Sequence, residues 1–459
     1  MNYIVTKNPT FFEAIGQYNY CTFEEMGEML TKGIAVDTET TGLNAQDDKI
    51  FAVQIGTGKD NFLMDLQEYK DKKKQQGLGT VLPYLEGRHL VFHNGLFDLG
   101  FLMKGGFVPD ESLIWDTMLA SKLLYNGYPN WFLHKFDAVM LRELGVKYDK
   151  TEQKNIHRVK LSTKEAIQYC FNDVDRLKEL HETLYAKLRA YGGHHTYNLN
   201  RQDLCPLAYM ELCGLPTSEE WWKRKMEGDL VRLKETERIV IEYIYDKIEK
   251  ERVVQMGLFS SAKEIYSNPK SPKQMIPIFK KLGISTETDD KGKGKAKGAK
   301  KDSIAEDVIS LSPHEFVKIW LDYKEAQHTI SNFGNNVLVK IRDGRVHPKF
   351  NPTIDTSRIS CKKEGDINSL NIPANKETRS CFRANPGFAM VVCDYEGQET
   401  VILADLSLDD TMVKSVTDGL DLHCAFARMV FPELEGLTDD EIKKDHKEKR
   451  NFVKSPRFA

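Results

Sequence analysis

Long apolar runs are missing from this chain. No stretch of about 18 apolar residues occurs, so no membrane-spanning helix is expected. The opening MNYIVTKNPTFFEAIGQ has no basic end followed by an apolar core, so no secretory leader is expected and a cytoplasmic location follows. An excess of one charge sign is missing too. The formal net charge is −3, so the average field does not mark a nucleic-acid binder, and any such binding must come from local basic grooves. Cysteine is sparse and scattered. None of Cys21, Cys170, Cys205, Cys213, Cys361, Cys381, Cys393 and Cys424 stands in a CxxC pair, which argues for reduced, mostly buried thiols. There is no internal repeat.

What is present is length and a changing pattern. With 459 residues, the chain is too long for one ordinary core, and two or three domains are expected. Residues 33–42 (with IAVDTET), 49–56 (KIFAVQIG) and 61–65 (NFLMD) read as strands of an antiparallel meander, and 89–94 (HLVFHN) as a further strand. DTMLASKLL, from Asp116, reads as an amphipathic helix with Asp116 as its cap, and 163–190 as one long helix. Residues 198–326 are almost all helical in pattern. Their longest piece, 218–255, opens at Ser218 with glutamates in its first turn, and would span about 57 Å, enough to project as an arm. The stretch DDKGKGKAKGAKK at 289–301 cannot bury a core and reads as a solvated loop; its six lysines are candidates for touching phosphates. From 340 onward strand-like segments return, including FAMVVCDYEG with Asp394 at the end of an apolar strand, followed by helices from Glu399.

Four carboxylates in three separated segments carry the chemistry: Asp37 and Glu39 in IAVDTETTGL, Asp98 in VFHNGLFDLGFL and Asp173 in YCFNDVDRL. Two residues apart on a strand, Asp37 and Glu39 point to one face of the sheet. Such a close acidic pair is repulsive unless a cation sits between its members, which is the mark of a hard-metal site. Tyr169 and Asp173, four apart, share a helix face. Asp98 follows a strand and an Asn94-Gly95 turn, so it can reach the same edge. Two magnesium ions (manganese is an alternative) held there would activate a water and stabilise a leaving oxygen in phosphodiester cleavage. Leu43 and Phe97, beside the acids, are candidate wedges for an unpaired strand.

DTETTGL, FHNGLFD and YCFND resemble the motifs of the DEDDy branch of the 3′–5′ exonucleases, which have a ribonuclease-H-like fold. The resemblance covers roughly residues 1–190. It implies metal ligation by Asp37, Glu39, Asp98 and Asp173, with Tyr169 orienting the attacking water. Asp116 also matches a recurring family position, where it reads as a helix cap and not a ligand.

The later half resembles a family A DNA polymerase of the DNA polymerase I type, through ELCGLP, NPKSPKQMIPIFKKLGI, DGRVHPKFNPTIDTSRIS, NSLNIP, RSCF, CDYEGQE, DGLDLH and RNFVK in that order. The resemblance implies that Asp394 meets a metal and the incoming nucleotide, that Glu399 is the sugar gate, and that His423, Arg450 and Lys454 neutralise the triphosphate. Arg358, Arg379 and Lys273 match positions near template-primer DNA. Leu370, the run Glu396-Gly397-Gln398, and Val401 depart from the commoner family residues and suggest a divergent, phage-like lineage in a bacterial or phage-infected cell. A second palm carboxylate, expected beyond Lys454, is not reached before Ala459. A second polypeptide completing the polymerase is therefore an expected partner, beside template-primer DNA and a single-stranded 3′ end.

The expected architecture is α/β (α+β) and multidomain. It comprises a ribonuclease-H-like exonuclease domain at 1–195, a helical thumb at 196–340 with the loop 289–301, and a partial palm with the start of fingers at 341–459. The expected function is proofreading plus template-primer binding, with synthesis only when the domain is completed. A non-catalytic DNA-binding scaffold and a stand-alone repair exonuclease remain the alternatives.

Overall fold

The computed structural model describes the chain apart from residues 8, 67–76, 129–133, 149–154, 157–159, 250–267, 290–299, 396 and 454–459. It divides into two compact units, Met1–Asn385 and Pro386–Ala459. Among the described residues, no helix is long and apolar enough to cross a membrane.

A seven-stranded mixed sheet organises the start of the first unit. Its strands are β1 (Asn2–Val5), β2 (Asn19–Cys21), β3 (Gly33–Thr40), β4 (Ile50–Gly56), β5 (Asn61–Asp65), β6 (His89–Phe92) and β7 (Ile114–Asp116). Their order is β2-β1-β5-β4-β3-β6-β7. The meander β3-β4-β5 is antiparallel, as its short connections require, whereas β6 runs parallel to both β3 and β7. Strands β1 and β2, whose short segments carry little alternation, complete the other edge in parallel pairing.

Both faces of the sheet are covered, so the central strands read as nearly continuous apolar runs. On one face, Val36, Val53, Phe62 and Leu90 join Leu99 and Leu102 of α1 (Gly95–Lys104) in the main core. On the other, Phe51, Ala52 and Leu63 meet Ile167, Cys170 and Phe171. Residues 163–190 form two helices, not the single one expected: α3 (Lys164–Val174) and α4 (Leu177–Ala190) follow α2 (Thr117–Leu124) in the chain. The break falls at Asp175 (extended) and Arg176 (φ 55°), so that α3 covers one side of the sheet while α4 packs beside α2 and against β3 and β6. Heptad-like spacing of leucines does not reveal a turn of two residues whose reason is the sheet between the helices.

Beyond the sheet, α5 (His194–Gln202) and α6 (Leu204–Cys213) lead to the long helix α7 (Glu219–Ile244), capped by Ser218. As regular α-helix it has 26 residues and is followed by one π-helical turn at Tyr245–Glu249; the rest of the expected helix, residues 250–255, lies outside the described ones. It pairs with α8 (Glu315–Phe333), and the buried Lys225 Nζ and Trp222 Nε1 donate to the backbone oxygens of Phe333 and Gly334 at 2.7 and 3.1 Å. Of the lysine-rich stretch 289–301, the ends are described: Glu287–Asp289 and Lys300–Asp302 pair as antiparallel strands. The rest lies outside the described residues.

In Pro386–Ala459 the expected strand before Asp394 is absent: residues 388–395 carry no regular structure, and Phe388, Val391, Val392 and Tyr395 are exposed. A strand needs a hydrogen-bonding neighbour, and among the described residues no strand pairs with this segment. The unit is otherwise helical, with α9 (Gln398–Ser407), α10 (Asp410–Thr417), α11 (Leu422–Val430), α12 (Asp439–Asp445) and α13 (Lys447–Phe452). Its small core gathers Cys424, Ala427, Leu434, Ile442 and Val453.

Gly56, at the end of β4, lets α3 close on the sheet. A Cβ there would stand 2.6 Å from the backbone oxygen of Val174. Gly56→Ala should therefore lower stability by about 1–3 kcal/mol, read as a lower urea midpoint at constant m-value. Gly100→Ala, inside α1, is the control. Its Cβ would meet only Ala45 Cβ, at 3.9 Å, and the exchange should be neutral or stabilising by up to about 1 kcal/mol.

Candidate active site

Three carboxylates meet at the end of β3. Asp37 and Glu39 leave one face of the strand, and Asp173 comes from α3, whose register is set by Thr163, the N-cap that accepts from the Ala166 amide. A ligand oxygen from each of Asp37, Glu39 and Asp173 lies within 4.8 Å of the other two. Glu39 and Asp173 are 6% and 7% exposed, so water screens the group poorly. At this separation each like-charged pair costs at least roughly 3 kcal/mol even at an effective dielectric of 20. The donor set is all oxygen, which suits hard divalent ions such as magnesium or manganese.

Asp98 lies beside this group, not within it. It reaches the same cleft from α1, with a cavity of about 590 Å³ lined by Asp37, Glu39, Leu43, Phe97, Asp98 and Tyr169 among others. Its Oδ1 accepts from Thr38 N and Thr38 Oγ1 at 3.1 and 2.6 Å. Burial pushes the Asp98 carboxyl up to about 7, against the lowering effect of those Thr38 bonds. A cation would reverse that shift by favouring the charged form. Tyr169, one helical turn before Asp173, is raised far above an ordinary phenol by burial first, then by Asp173, Glu39 and Asp37. The phenol thus keeps its proton and acts as a donor. Cys170 is likewise held as a thiol, by burial and by Glu39.

The Asn94-Gly95 turn that aims α1 at the site is built tightly. Asn94 is left-handed (φ 70°), which asparagine tolerates, and a Cβ on Gly95 would fall 2.6 Å from Phe92 Cβ. Asp116 is a cap, as its position suggested, and does more. Its Oδ1 accepts from the Leu119 amide at 2.6 Å, and its Oδ2 from the Gly95 amide at 2.5 Å, so one buried carboxylate ties the start of α2 to the start of α1. Tyr197 of α5 then closes on Asp116, its hydroxyl accepting from the Asp116 amide and donating to the Asp116 carbonyl at 3.0 and 3.2 Å.

Sequence reasoning missed Thr38, Tyr197 and Gln54. Gln54 is fully buried in β4 and donates Nε2 to Glu39 Oε1 at 3.3 Å. Its signal was present as the lone polar residue of IFAVQIG.

The polymerase-like residues divide between the two units. Arg358, Arg379 and Lys273 belong to the first and are exposed. In the second, Asp394 is exposed and belongs to no group of three or more metal-type ligands among the described residues. Glu399 lies in the first turn of α9. His423 and Arg450 converge on Asp421, whose Oδ1 accepts from the His423 amide while Oδ2 accepts from Arg450 at 2.6 Å. Burial would raise the Asp421 carboxyl, but the Arg450 guanidinium and the Cys424 amide outweigh it and hold it down to about 2. Lys454 lies outside the described residues.

Residues 18–189 match the family model described as 3′-5′ exonuclease, and residues 246–459 match that of DNA polymerase family A. The sheet and its acidic strand end are thus a ribonuclease-H-like 3′–5′ exonuclease domain, and the class is that of a nucleic-acid enzyme. The two matched regions are thus a 3′–5′ exonuclease domain followed by a region similar to the family A DNA polymerases. The chain is 26% identical to DNA polymerase I of Aquifex aeolicus over 92% of its own length and 67% of that protein. It is 24% identical to the DNA polymerase of Mycobacterium phage D29, over 93% and 68%. Four relatives that match 87–93% of this chain are themselves covered over 42–68% of their length. In fold it is similar to the polymerase domain of Pol1 from M. smegmatis, solved with primer-template DNA and dNTP. That likeness has a TM-score of 0.70 at 19% identity, over 100% of this chain and 70% of that one.

Removing the Asp116 carboxylate should loosen both helices at once. Asp116→Ala leaves the Leu119 and Gly95 amides without their acceptor and should cost about 2–4 kcal/mol by urea unfolding. Asp116→Asn, which keeps one amide oxygen to cap α2, should recover roughly half of that loss.

Proposed function

We propose that this chain removes nucleotides from single-stranded 3′ DNA ends, proofreading for a family A polymerase. The observation that carries the reading is the trio Asp37, Glu39 and Asp173, of which Asp37 and Glu39 line, with Asp98 and Tyr169, a cleft of about 590 Å³. On this reading Asp37, Glu39, Asp98 and Asp173 would hold two divalent ions. Bound there, the ions would supply positive charge that favours ionisation of water and offsets charge on the leaving oxygen.

The chain's own residues do the rest. Tyr169, kept protonated, donates to or orients the attacking water without taking its proton. The water oxygen adds to phosphorus, the bond from phosphorus to the 3′ oxygen of the preceding nucleotide breaks, and that oxygen takes up a proton. A nucleoside 5′-monophosphate leaves. Leu43, 82% exposed on the cleft rim, and Phe97 stack against the terminal bases and read no sequence. Thr38 fixes Asp98 by two bonds, so this carboxylate needs little rearrangement when the ions are bound.

The domain limits proposed are 1–195 for the exonuclease, 196–340 for a DNA-gripping thumb with the lysine-rich loop 289–301, and 341–459 for palm and fingers residues. Template-primer contact by Arg358, Arg379 and Lys273, and nucleotide contact by Asp394, Glu399, His423, Arg450 and Lys454, belong to this same proposal. Synthesis needs further polypeptide around Asp394. The support is the exposed apolar segment 388–395 and the lack of a metal-type ligand group at Asp394 among the described residues.

With magnesium present, the purified chain should shorten a 3′ single-stranded DNA and release mononucleotides, and Asp37→Ala should abolish this. An unchanged rate in that variant would remove the site assignment. Tyr169→Phe should slow cleavage by about 100-fold, because the water loses its positioning donor. Primer extension assayed with the chain alone should give no product; synthesis by the chain alone would contradict the proposed need for further polypeptide.

A further inference from the structure

Gln54 stands directly opposite Asp37 in the antiparallel register of β3 and β4. Its side chain therefore leaves the same face of the sheet as Asp37 and Glu39. It is completely buried, and its Nε2 donates to Glu39 Oε1 at 3.3 Å. From α3, the buried Cys170 thiol approaches the same oxygen at 3.7 Å. One oxygen of the Glu39 carboxylate is thus met by a donor from the strand and by a donor from the helix.

The other end of the amide makes the case. Gln54 Oε1 is buried and has no hydrogen-bond partner among the described residues. Turning the amide over would bring that oxygen against the carboxylate and break the bond to Glu39. A buried amide with an unsatisfied acceptor is unfavourable for folding, and leucine or methionine would suit this apolar strand better on stability alone. The residue is explained by what its N–H group does to Glu39.

We infer that Gln54, together with Cys170, is a positioning residue that fixes the orientation of the Glu39 carboxylate and thereby sets the affinity of the exonuclease site for its divalent ion. This rests on the proposed role of Glu39 as a ligand. Groups that orient a ligating side chain in this way change metal affinity by about 10–100-fold when removed.

The test uses the full chain and two variants of similar volume, Gln54→Leu and Gln54→Met. Manganese binding is read by electron paramagnetic resonance as the difference from Asp37→Ala, beside the magnesium concentration that half-saturates cleavage of a 3′ single-stranded DNA. Both variants should need about 10-fold more metal or higher by both readouts. Cleavage should recover at excess magnesium, and the urea midpoint should stay the same or rise. Cys170→Ser, which keeps a donor, should stay closer to the parent than Cys170→Ala.

Unchanged manganese affinity in both Gln54 variants would overturn the inference. So would cleavage lost at every magnesium concentration together with a lower urea midpoint, which marks a merely structural role. The two proposals fail differently. If Asp37→Ala keeps both manganese binding and cleavage, the site reading itself falls. If it loses them while the Gln54 variants bind metal as the parent does, only the role of Gln54 falls.

Discussion

Mutual repulsion of carboxylates in a poorly hydrated cleft is the constraint around which the first unit is arranged. Asp37, Glu39 and Asp173 bring oxygens within 4.8 Å of one another from a strand and a helix far apart in the chain. Ionised carboxylates at that separation repel one another unless a cation lies between them. The fold must therefore hold the acids together by bonds made elsewhere, and it does so with a two-faced apolar core and neutral hydrogen-bond donors. Thr38, Gln54 and Tyr169 donate to Asp98, Glu39 and Asp173 without adding charge, so these acids are oriented while the demand for a cation persists.

The supports are placed where a small displacement would be most costly. Gly56 gives α3 its close approach to the sheet, which sets the depth of Tyr169 and Asp173. Asp116 joins the starts of α1 and α2, and so aims Asp98 without touching the cleft. Tyr197 and Arg201 of α5 extend this scaffold past the last helix of the matched exonuclease region. Arg201 donates to the Ser112 and Ile114 carbonyls at 3.0 and 2.8 Å and lies over the Trp115 ring. Residues that follow the exonuclease match in sequence thus help to hold its sheet edge.

Much of this was legible from residue pattern alone. Alternation and turn residues placed the β3-β4-β5 meander, and side-chain chemistry placed the caps at Ser218 and Asp116. Local rules served where local forces dominate. They failed where a distant surface decides the outcome. The turn at Asp175 and Arg176 exists because α3 and α4 pack on different parts of the sheet, and no spacing within 163–190 carries that information. The apolar run before Asp394 reads as a strand, yet without a hydrogen-bonding neighbour it does not become one.

The sequence by itself determined the identity and order of the acids, the class of ion they suit, and the spacing that puts Asp37 with Glu39 on one sheet face and Tyr169 with Asp173 on one helix face. Those are consequences of strand and helix periods, which operate over a few residues. Only the tertiary structure decided that Asp98 stands beside the trio, held by Thr38, and that Gln54 and Cys170 both reach Oε1 of Glu39. Those relations join residues 15 to 131 positions apart, where chain connectivity says nothing about contact and the packing of sheet against helix says all of it.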